Sequence, residues 1–180
     1  MTTECVGTLI PLRNDEMADM LFAATQEVFT SMLGSEVQRL SDPAPEQSAS
    51  FDGVISLIGM VGAVIGNGSL VCSAETACDL SSRLLMSKFS NVDEEVLDAV
   101  GEIANMVIGG FKNLLEAHAG PLQMSIPSVI YGKNIATRNS QADVTVAVNA
   151  SYEGHSLAVT VRLAARGSHP GCLKKLEIRA

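Results

Sequence analysis

The stretch DEEVLDAVGEIANMVIGGFKN, from Asp93 to Asn113, decides much of the fold because it predicts one long helix with two different faces. Side chains three and four positions apart share a helix face. At 3.6 residues per turn, Glu102, Asn105 and Gly109 fall within about 40° of Asp98 and form a polar stripe with it. The opposite side is apolar, with Val96, Val100, Ile103, Val107, Phe111 and Leu114. The pattern predicts an amphipathic helix with a buried face and an accessible stripe.

Outward from this helix, the chain predicts two further helices and six strands. Residues 15–33 predict a helix that stops at Gly34, and Ser73 caps a helix that runs to Phe89. Asn91 is the predicted cap of the long helix, which stops at Gly120. A short polar segment is a strand candidate at residues 35–42, and apolar segments predict strands at 53–60 and 68–73, joined by a glycine-rich turn at 62–66. Further strands are predicted at 125–132, 142–150 and 155–165, and the apolar residues of 142–150 alternate cleanly.

The order of these elements predicts an α+β fold, with an antiparallel sheet and long helices packed on one face. The order helix, three strands occurs twice, which predicts one domain over residues 1–180 with pseudo-repeat halves at about 15–89 and 91–165 and a tail at 167–180. EVFTSMLG from Glu27 and EIANMVIG from Glu102 support the repeat. Both read Glu, two residues, Thr30 or Asn105, three residues, Gly.

Composition limits the class of protein. The chain has 180 residues, of which 47% are hydrophobic and 18% charged, so it can bury a sizeable core. A net charge of −8 with scattered basic residues argues against binding to nucleic acid or to an anionic membrane. The N-terminus lacks a signal-peptide pattern and no apolar run is long enough to cross a bilayer, which predicts a cytoplasmic protein.

The cysteines and histidines do not predict a metal site. The cysteines form no CxxC pair and the histidines stand apart from one another, so free thiols and no metal site are expected. These residues are Cys5, Cys72, Cys78, Cys172, His118, His155 and His169.

The polar stripe has a plain interpretation beside a functional one. Most exposed Glu and Asn side chains on helices are only solvated, and such pairs are common. However, asparagine is a mediocre helix former, and Gly109 and Gly110 each lower the stability of the helix by about 1 kcal/mol relative to alanine. Glycine beside Asn105 leaves a low surface that another backbone can approach, which favours a docking face. Alternatively, Gly109 admits a neighbouring element of the same chain.

The segment Asp98-x3-Glu102-x2-Asn105-x3-Gly109 resembles the signature of the CheC/CheX/FliY chemotaxis phosphatases. The resemblance covers about residues 15–165, through ATQEVFTSMLG in the first helix, SLVCSAETACDLSSRLL after the glycine-rich hairpin and IPSVIYG after the long helix. It implies that the chain has a CheC-like repeat fold and dephosphorylates CheY-like response regulators.

The first copy of the motif departs from the family pattern. CheC-type members often carry two active copies, whereas here Thr30 stands where asparagine is required. We therefore expect Glu27 and Thr30 to form a degenerate second site. The chain is most similar to the single-site CheX type.

The resemblance also implies a role for each residue of the stripe. The phosphorylated regulator supplies Mg²⁺, a lysine and a hydroxyl around its acyl phosphate, so no cofactor of this chain is expected. Asn105 is expected to position the attacking water, because an amide accepts a hydrogen bond from water and a loose transition state needs little base. Glu102 is expected to pair with the regulator's lysine, and Asp98 and Gly109 to aid docking.

Two other functions stay open at this point. The first is a non-catalytic binding module of the same fold, which binds a response regulator or a flagellar motor component. The intact Glu102 and Asn105 pair argues against it. The second is a small-ligand sensor that uses the hairpin from Gly59 to Gly68, which lacks a nucleotide-binding glycine motif. Edge strands in both halves, together with the likeness to CheX-type proteins, predict a homodimer.

Overall fold

The computed structural model describes residues 12–41, 51–136 and 142–165. In chain order, the helices and strands are α1 Asn14–Met32, β1 Gln38–Arg39, β2 Phe51–Gly62, β3 Val64–Cys72, α2 Ala74–Leu85, α3 Glu94–Ala119, β4 Leu122–Met124, β5 Ser128–Ile135, β6 Val144–Tyr152 and β7 His155–Ala165. Outside the described residues lie the tail predicted at 167–180 and the side chains of Cys5, Cys172 and His169.

The seven described strands form one antiparallel sheet, which confirms the predicted α+β class. Its order is β1-β6-β7-β3-β2, and β4 and β5 pair with β2 one after the other along its outer edge. The central pair is β3 with β7. From there outward, β1 pairs with β6 and β5 pairs with β2, so each half of the chain completes the sheet of the other half.

All three helices cover the same face of this sheet. Gly68 of β3 lies under Ile108 of α3, and its cross-strand partners Ile58 and Val161 are fully buried. On the same face of β6, Tyr152 packs edge-on against Phe29 of α1, with ring centroids 5.0 Å apart. The guanidinium carbon of Arg83 in α2 lies 5.6 Å from the centroid of the Tyr152 ring.

The long helix differs in detail from its prediction. Its N-cap is Asp93 and not Asn91, since the Val96 N–H donates to Asp93 Oδ1 at 3.0 Å. Leu114, assigned above to the core face, is 43% exposed, and Leu115 is buried instead. The buried arc turns around α3 along its length, because a long helix cannot keep one arc in contact with a twisted sheet.

The second helix is shorter than predicted. The Ser73 cap is confirmed, with the Thr76 N–H donating to Ser73 Oγ at 3.1 Å. The helix ends at Leu85 and not at Phe89, because Met86 takes a left-handed conformation with φ of 51°. The Phe89 N–H then donates to Ser82 Oγ at 3.0 Å, which holds the departing chain against α2.

The strand predicted at residues 125–132 is β5, which lies three residues later at Ser128–Ile135, and the short strand β4 before it was not predicted. Pro127 has no N–H to give to a ladder, and the chain leaves β2 between Met124 and Ser128. Glu116 of α3 holds the preceding turn, since the Leu122 N–H donates to its Oε1 at 2.7 Å. The turn between β2 and β3 lies at residues 62–64, which is tighter than the predicted 62–66.

Other predictions concern membranes and thiols. Within the described parts of the chain, none of the helices is long and apolar enough to cross a membrane. Cys72 and Cys78 are free, as predicted. Both thiols are buried, and desolvation raises the pKa of Cys72 to about 12.

Gly68 provides the room in which α3 approaches the sheet. A Cβ at this position would lie 2.6 Å from Cδ1 and 2.8 Å from Cγ1 of Ile108. Overpacking of a core costs about 1–3 kcal/mol, so we expect Gly68→Ala to lower the free energy of unfolding by about 2 kcal/mol in urea titrations.

Gly109→Ala is the matched control, since its Cβ would meet only Met124 Cε at 3.8 Å. Because alanine favours a helix more than glycine does, the free energy of unfolding of Gly109→Ala should equal that of the wild type or exceed it by up to about 1 kcal/mol. Equal stability of Gly68→Ala and the wild type would show that this contact does not set the position of α3.

Candidate functional site

The polar stripe lies on the exposed side of α3. Asp98 and Glu102 are exposed, and Asn105 and Gly109 are half-buried. The stripe extends about 16 Å along the axis, at 1.5 Å per residue. The opposite side of the helix is fully buried at Val100, Ile103, Val107 and Phe111. The structure therefore places all four stripe residues together, on the surface where they were predicted.

The polar side chains of the stripe have no partners among the described residues. No hydrogen bond or ion pair within these parts of the chain engages Asp98, Glu102 or Asn105. One turn beyond the stripe, by contrast, Lys112 and Glu116 form an ion pair, with Nζ and Oε1 3.0 Å apart. The amide and both carboxylates of the stripe are thus free to contact another molecule.

The two adjacent glycines of α3 have different surroundings. A Cβ on Gly110 would lie 3.2 Å from Cβ of Ala24 in α1, so this glycine permits close packing of the two helices. A Cβ on Gly109 would meet only the end of Met124, at an ordinary van der Waals distance. Close packing within the chain therefore explains Gly110 and leaves Gly109 unexplained.

One flank of the stripe is the connection between β4 and β5. Gly101 lies against this connection and the start of β5, since a Cβ on Gly101 would lie 3.7 Å from Cβ of Pro127 and 3.2 Å from Cγ2 of Val129. Ser125 fixes this connection to β2, because Ser125 N–H donates to the Gly59 carbonyl and Gly59 N–H donates to Ser125 Oγ, both at 2.9 Å. Ile126 then projects from the connection with 85% of its surface exposed.

The other flank is a groove that sequence reasoning missed. It lies between the C-terminal end of α2 and the N-terminal half of α3 and has a volume of about 590 Å³. We call it the acidic groove, and its lining residues are Leu84, Leu85, Ser87, Phe89, Glu95, Asp98, Ala99 and Glu102. Two stripe carboxylates therefore also belong to the groove. The only sequence signal was the apolar pair Leu84 and Leu85 at the end of an amphipathic helix.

The predicted degenerate site lies on a different helix. Glu27 and Thr30 are both exposed on α1, one turn apart. The Ser31 hydroxyl donates to the Glu27 carbonyl at 2.6 Å, an ordinary bond within the helix. No described hydrogen bond or ion pair joins Glu27 or Thr30 to the polar stripe.

The chemistry available at the stripe is limited and specific. A free amide can accept a hydrogen bond from a water molecule and donate to an oxygen at the same time. A free carboxylate one turn away can bind a cationic side chain. Within the described residues, His, Cys, Asp and Glu side chains form no group of three or more that could hold a metal ion.

Comparisons with known proteins address the family and the fold of the chain. Residues 54–150 match the family model described as chemotaxis phosphatase CheX. The CheY-P phosphatase CheX of Thermotoga maritima is 23% identical over 124 residues, which are 68% of this chain and 80% of that protein.

Solved structures share the fold. The chemotaxis protein CheX of Vibrio vulnificus superimposes with a TM-score of 0.71 and 26% identity, covering 84% of this chain and 99% of that one. The complex of CheX with CheY, BeF3 and Mg²⁺ from Borrelia burgdorferi aligns with a TM-score of 0.65 and 21% identity, covering 81% of this chain and 96% of that one. The family resemblance read from the sequence is confirmed.

Proposed function

Since the chain belongs to the CheX family of chemotaxis phosphatases, we propose that it hydrolyses the phosphoaspartate of a CheY-like response regulator. In this proposal Asn105 positions the attacking water, Glu102 docks the regulator, and Asp98 and Gly109 complete the docking face. The relative from Thermotoga maritima is named as a CheY-P phosphatase, and the Borrelia burgdorferi complex contains CheY. The two proteins would meet in the cytoplasm.

The observation that carries the proposal is the free amide of Asn105 beside the free carboxylate of Glu102. Both lie on the outward side of a helix whose inward side is fully buried, so their positions relative to each other are fixed by the helix. A rigid element presents a catalytic group more accurately than a loop does. Neither side chain must give up a described internal partner in order to bind.

Phosphoryl transfer suits this small set of groups. The transition state is loose, so catalysis depends on charge stabilisation and on a water held in line with the breaking bond. We assign the charge stabilisation to the regulator, whose Mg²⁺ contacts the phosphoryl group. The Asn105 carbonyl oxygen would accept a hydrogen bond from the water, and its N–H₂ would donate to a neighbouring oxygen. The bond that breaks joins phosphorus to the aspartate oxygen, and water adds to phosphorus.

Glu102 has the chemistry of a docking group. Its carboxylate cannot stabilise the negative charge of a phosphoryl group, and it would repel that group if it lay close to it. A cationic side chain of the regulator is the partner that suits it, and such a pair fixes the register of two proteins more than it adds affinity. The half-buried Gly109 would let the regulator's backbone approach the helix beyond Asn105.

The first prediction from the proposed function concerns the amide of Asn105. Asn105→Ala should lower the rate of phosphoaspartate hydrolysis about 100-fold or more, which is roughly 2.7 kcal/mol, because the water is no longer held in line. Phosphate release from phosphorylated CheY-type receivers measures this rate, and circular dichroism checks the fold. Thr30→Ala is the matched control on the other motif copy and should keep wild-type turnover.

Three outcomes would contradict this assignment. Near wild-type activity of Asn105→Ala would remove Asn105 from the mechanism. A large loss in Thr30→Ala would mean that the first motif copy is active. Binding of the regulator by the wild type without hydrolysis would favour the non-catalytic binding module instead.

The second prediction concerns docking. Glu102→Lys should raise KM for the phosphorylated regulator about tenfold or more and also lower kcat, because a cation now faces a cation and disturbs the register. Steady-state kinetics at low and at high salt measure both effects. The exposed Glu36→Lys, outside α3 and its stripe, carries the same charge change and should behave like wild type.

The third prediction concerns the homodimer. Strand β5 is the outer strand beside β2, and its Ile130 and Tyr131 are exposed large side chains on that edge. An unpaired edge strand readily pairs with another strand, so we propose that two copies associate along β5. Light scattering should give twice the chain mass of 18.9 kDa, and Ile130→Lys should give a single chain by charge repulsion. A monomeric wild type would exclude this proposal.

A further inference from the structure

We propose that the acidic groove is a docking site for one projecting apolar side chain of the response regulator that has a lysine or arginine beside it. The inference rests on the proposed function and adds the chemistry by which this chain would select its partner. Three independent features of the groove support it: its lining, the conformation of Met86 at its rim, and the unpaired state of its carboxylates.

The lining of the groove has two chemically distinct sides. Leu84, Leu85 and Phe89 supply an apolar side from α2 and the residues that follow it. Glu95, Asp98 and Glu102 supply an acidic side from α3. The volume of about 590 Å³ lies within the range of about 300–1,000 Å³ that is usual for ligand sites. An occupant that is apolar at one point and cationic beside it would satisfy both sides.

Met86 at the rim is unfavourable for the isolated chain in two ways. It lies between the lining residues Leu85 and Ser87 and is 92% exposed, although its side chain is large and apolar. It also ends α2 with φ of 51°, a left-handed conformation that normally selects glycine or asparagine. A glycine at this position would expose no apolar side chain and would adopt the left-handed conformation without strain. Strained residues cluster at binding sites, and the flexible thioether of methionine suits a surface that receives another protein.

The carboxylates of the groove are not neutralised within the described residues. No ion pair there engages Glu95, Asp98 or Glu102. Arg83, the cation of the last turn of α2, binds Asp79 at 2.7 Å and also Glu153, so it is already paired. Lys88 lines a separate cavity on the other side of Phe89. Three unpaired carboxylates along one wall attract a cationic partner by their common field.

The groove is continuous with the proposed phosphatase site. Asp98 and Glu102 belong both to the groove and to the polar stripe. Glu95 precedes Asn105 by about 15 Å of helix axis at 1.5 Å per residue. One regulator could therefore place its phosphoaspartate at Asn105 and an adjacent surface element in the groove. Met86 would then close over the apolar side chain.

The test separates docking in the groove from hydrolysis at Asn105. The variants are Met86→Gly, which relieves the left-handed conformation, and Glu95→Lys, which reverses one charge away from Asn105. The probes are the phosphorylated CheY proteins of Thermotoga maritima and Borrelia burgdorferi and the CheY-type receivers of the genome that encodes this chain. We expect each variant to raise KM about tenfold for the receivers that the wild type hydrolyses, with kcat within about twofold.

Two further readouts distinguish docking from a general structural effect. The thermal midpoint of Met86→Gly should equal or exceed that of the wild type, because glycine suits the left-handed conformation. In Glu95→Lys, the dependence of kcat/KM on salt should weaken. The matched controls are Met32→Ala, at another exposed methionine, and Glu94→Lys, at an adjacent acid outside the groove, and both should keep the wild-type KM.

The inference would be overturned by a wild-type KM in both Met86→Gly and Glu95→Lys, or by equal effects in the controls. Failure of the proposed function has a different signature, in which the wild type hydrolyses none of the receivers. Binding of beryllofluoride-activated receivers then decides the role of the groove. Loss of binding in Met86→Gly would support the groove in a non-catalytic protein, and unchanged binding would exclude it.

Discussion

The burial of one face of α3 is the constraint on which the rest of the structure depends. Val100, Ile103, Val107 and Phe111 are fully buried against the sheet and the other helices. A helix turns by a fixed angle per residue, so the orientation of this apolar face also fixes the orientation of the polar stripe. Any rotation that hid Glu102 or Asn105 would expose core residues. The outward position of the candidate site is therefore maintained by hydrophobic burial on the far side of the helix.

Glycine has three different roles around this helix. Gly68 lets the sheet accept Ile108, and Gly110 lets α1 approach through Ala24. Gly109 has ordinary clearance on its own side, so packing within the described residues does not require glycine at this position. In the sequence Gly109 and Gly110 look equivalent, and only the packing of the neighbouring elements separates a structural glycine from a candidate interface glycine.

The strongly periodic elements could be predicted from the sequence. The limits of α1 and α3 agree within one or two residues with prediction, and β7 spans the predicted residues, because an amphipathic pattern and its stop signals are local. The choice of Asp93 over Asn91 as cap was not predictable, since both residues are good caps and packing decides between them. The break at Pro127 and the short strand β4 depend on where the chain meets β2.

Sequence patterns predicted only part of the candidate site. Helical spacing alone places Asp98, Glu102 and Asn105 together. The acidic groove was missed because it arises where the end of α2 packs beside α3, and no sequence period reports the distance between two helices. The early end of α2 at Met86 has the same origin, because the residue types gave no glycine or asparagine at that cap.

The exchange of strands between the two halves has a consequence for how the chain can fold and change. Gln38 of β1 pairs with Ser151, so the first half cannot complete its edge until residue 151 has been synthesised. Such pairings give the fold a high contact order and slow its formation. They also make each half depend on a strand of the other half. The segment with Glu27 and Thr30 is therefore required for the fold whether or not its motif takes part in a reaction, because the first half supplies β1 to β6 and the second half supplies β5 to β2.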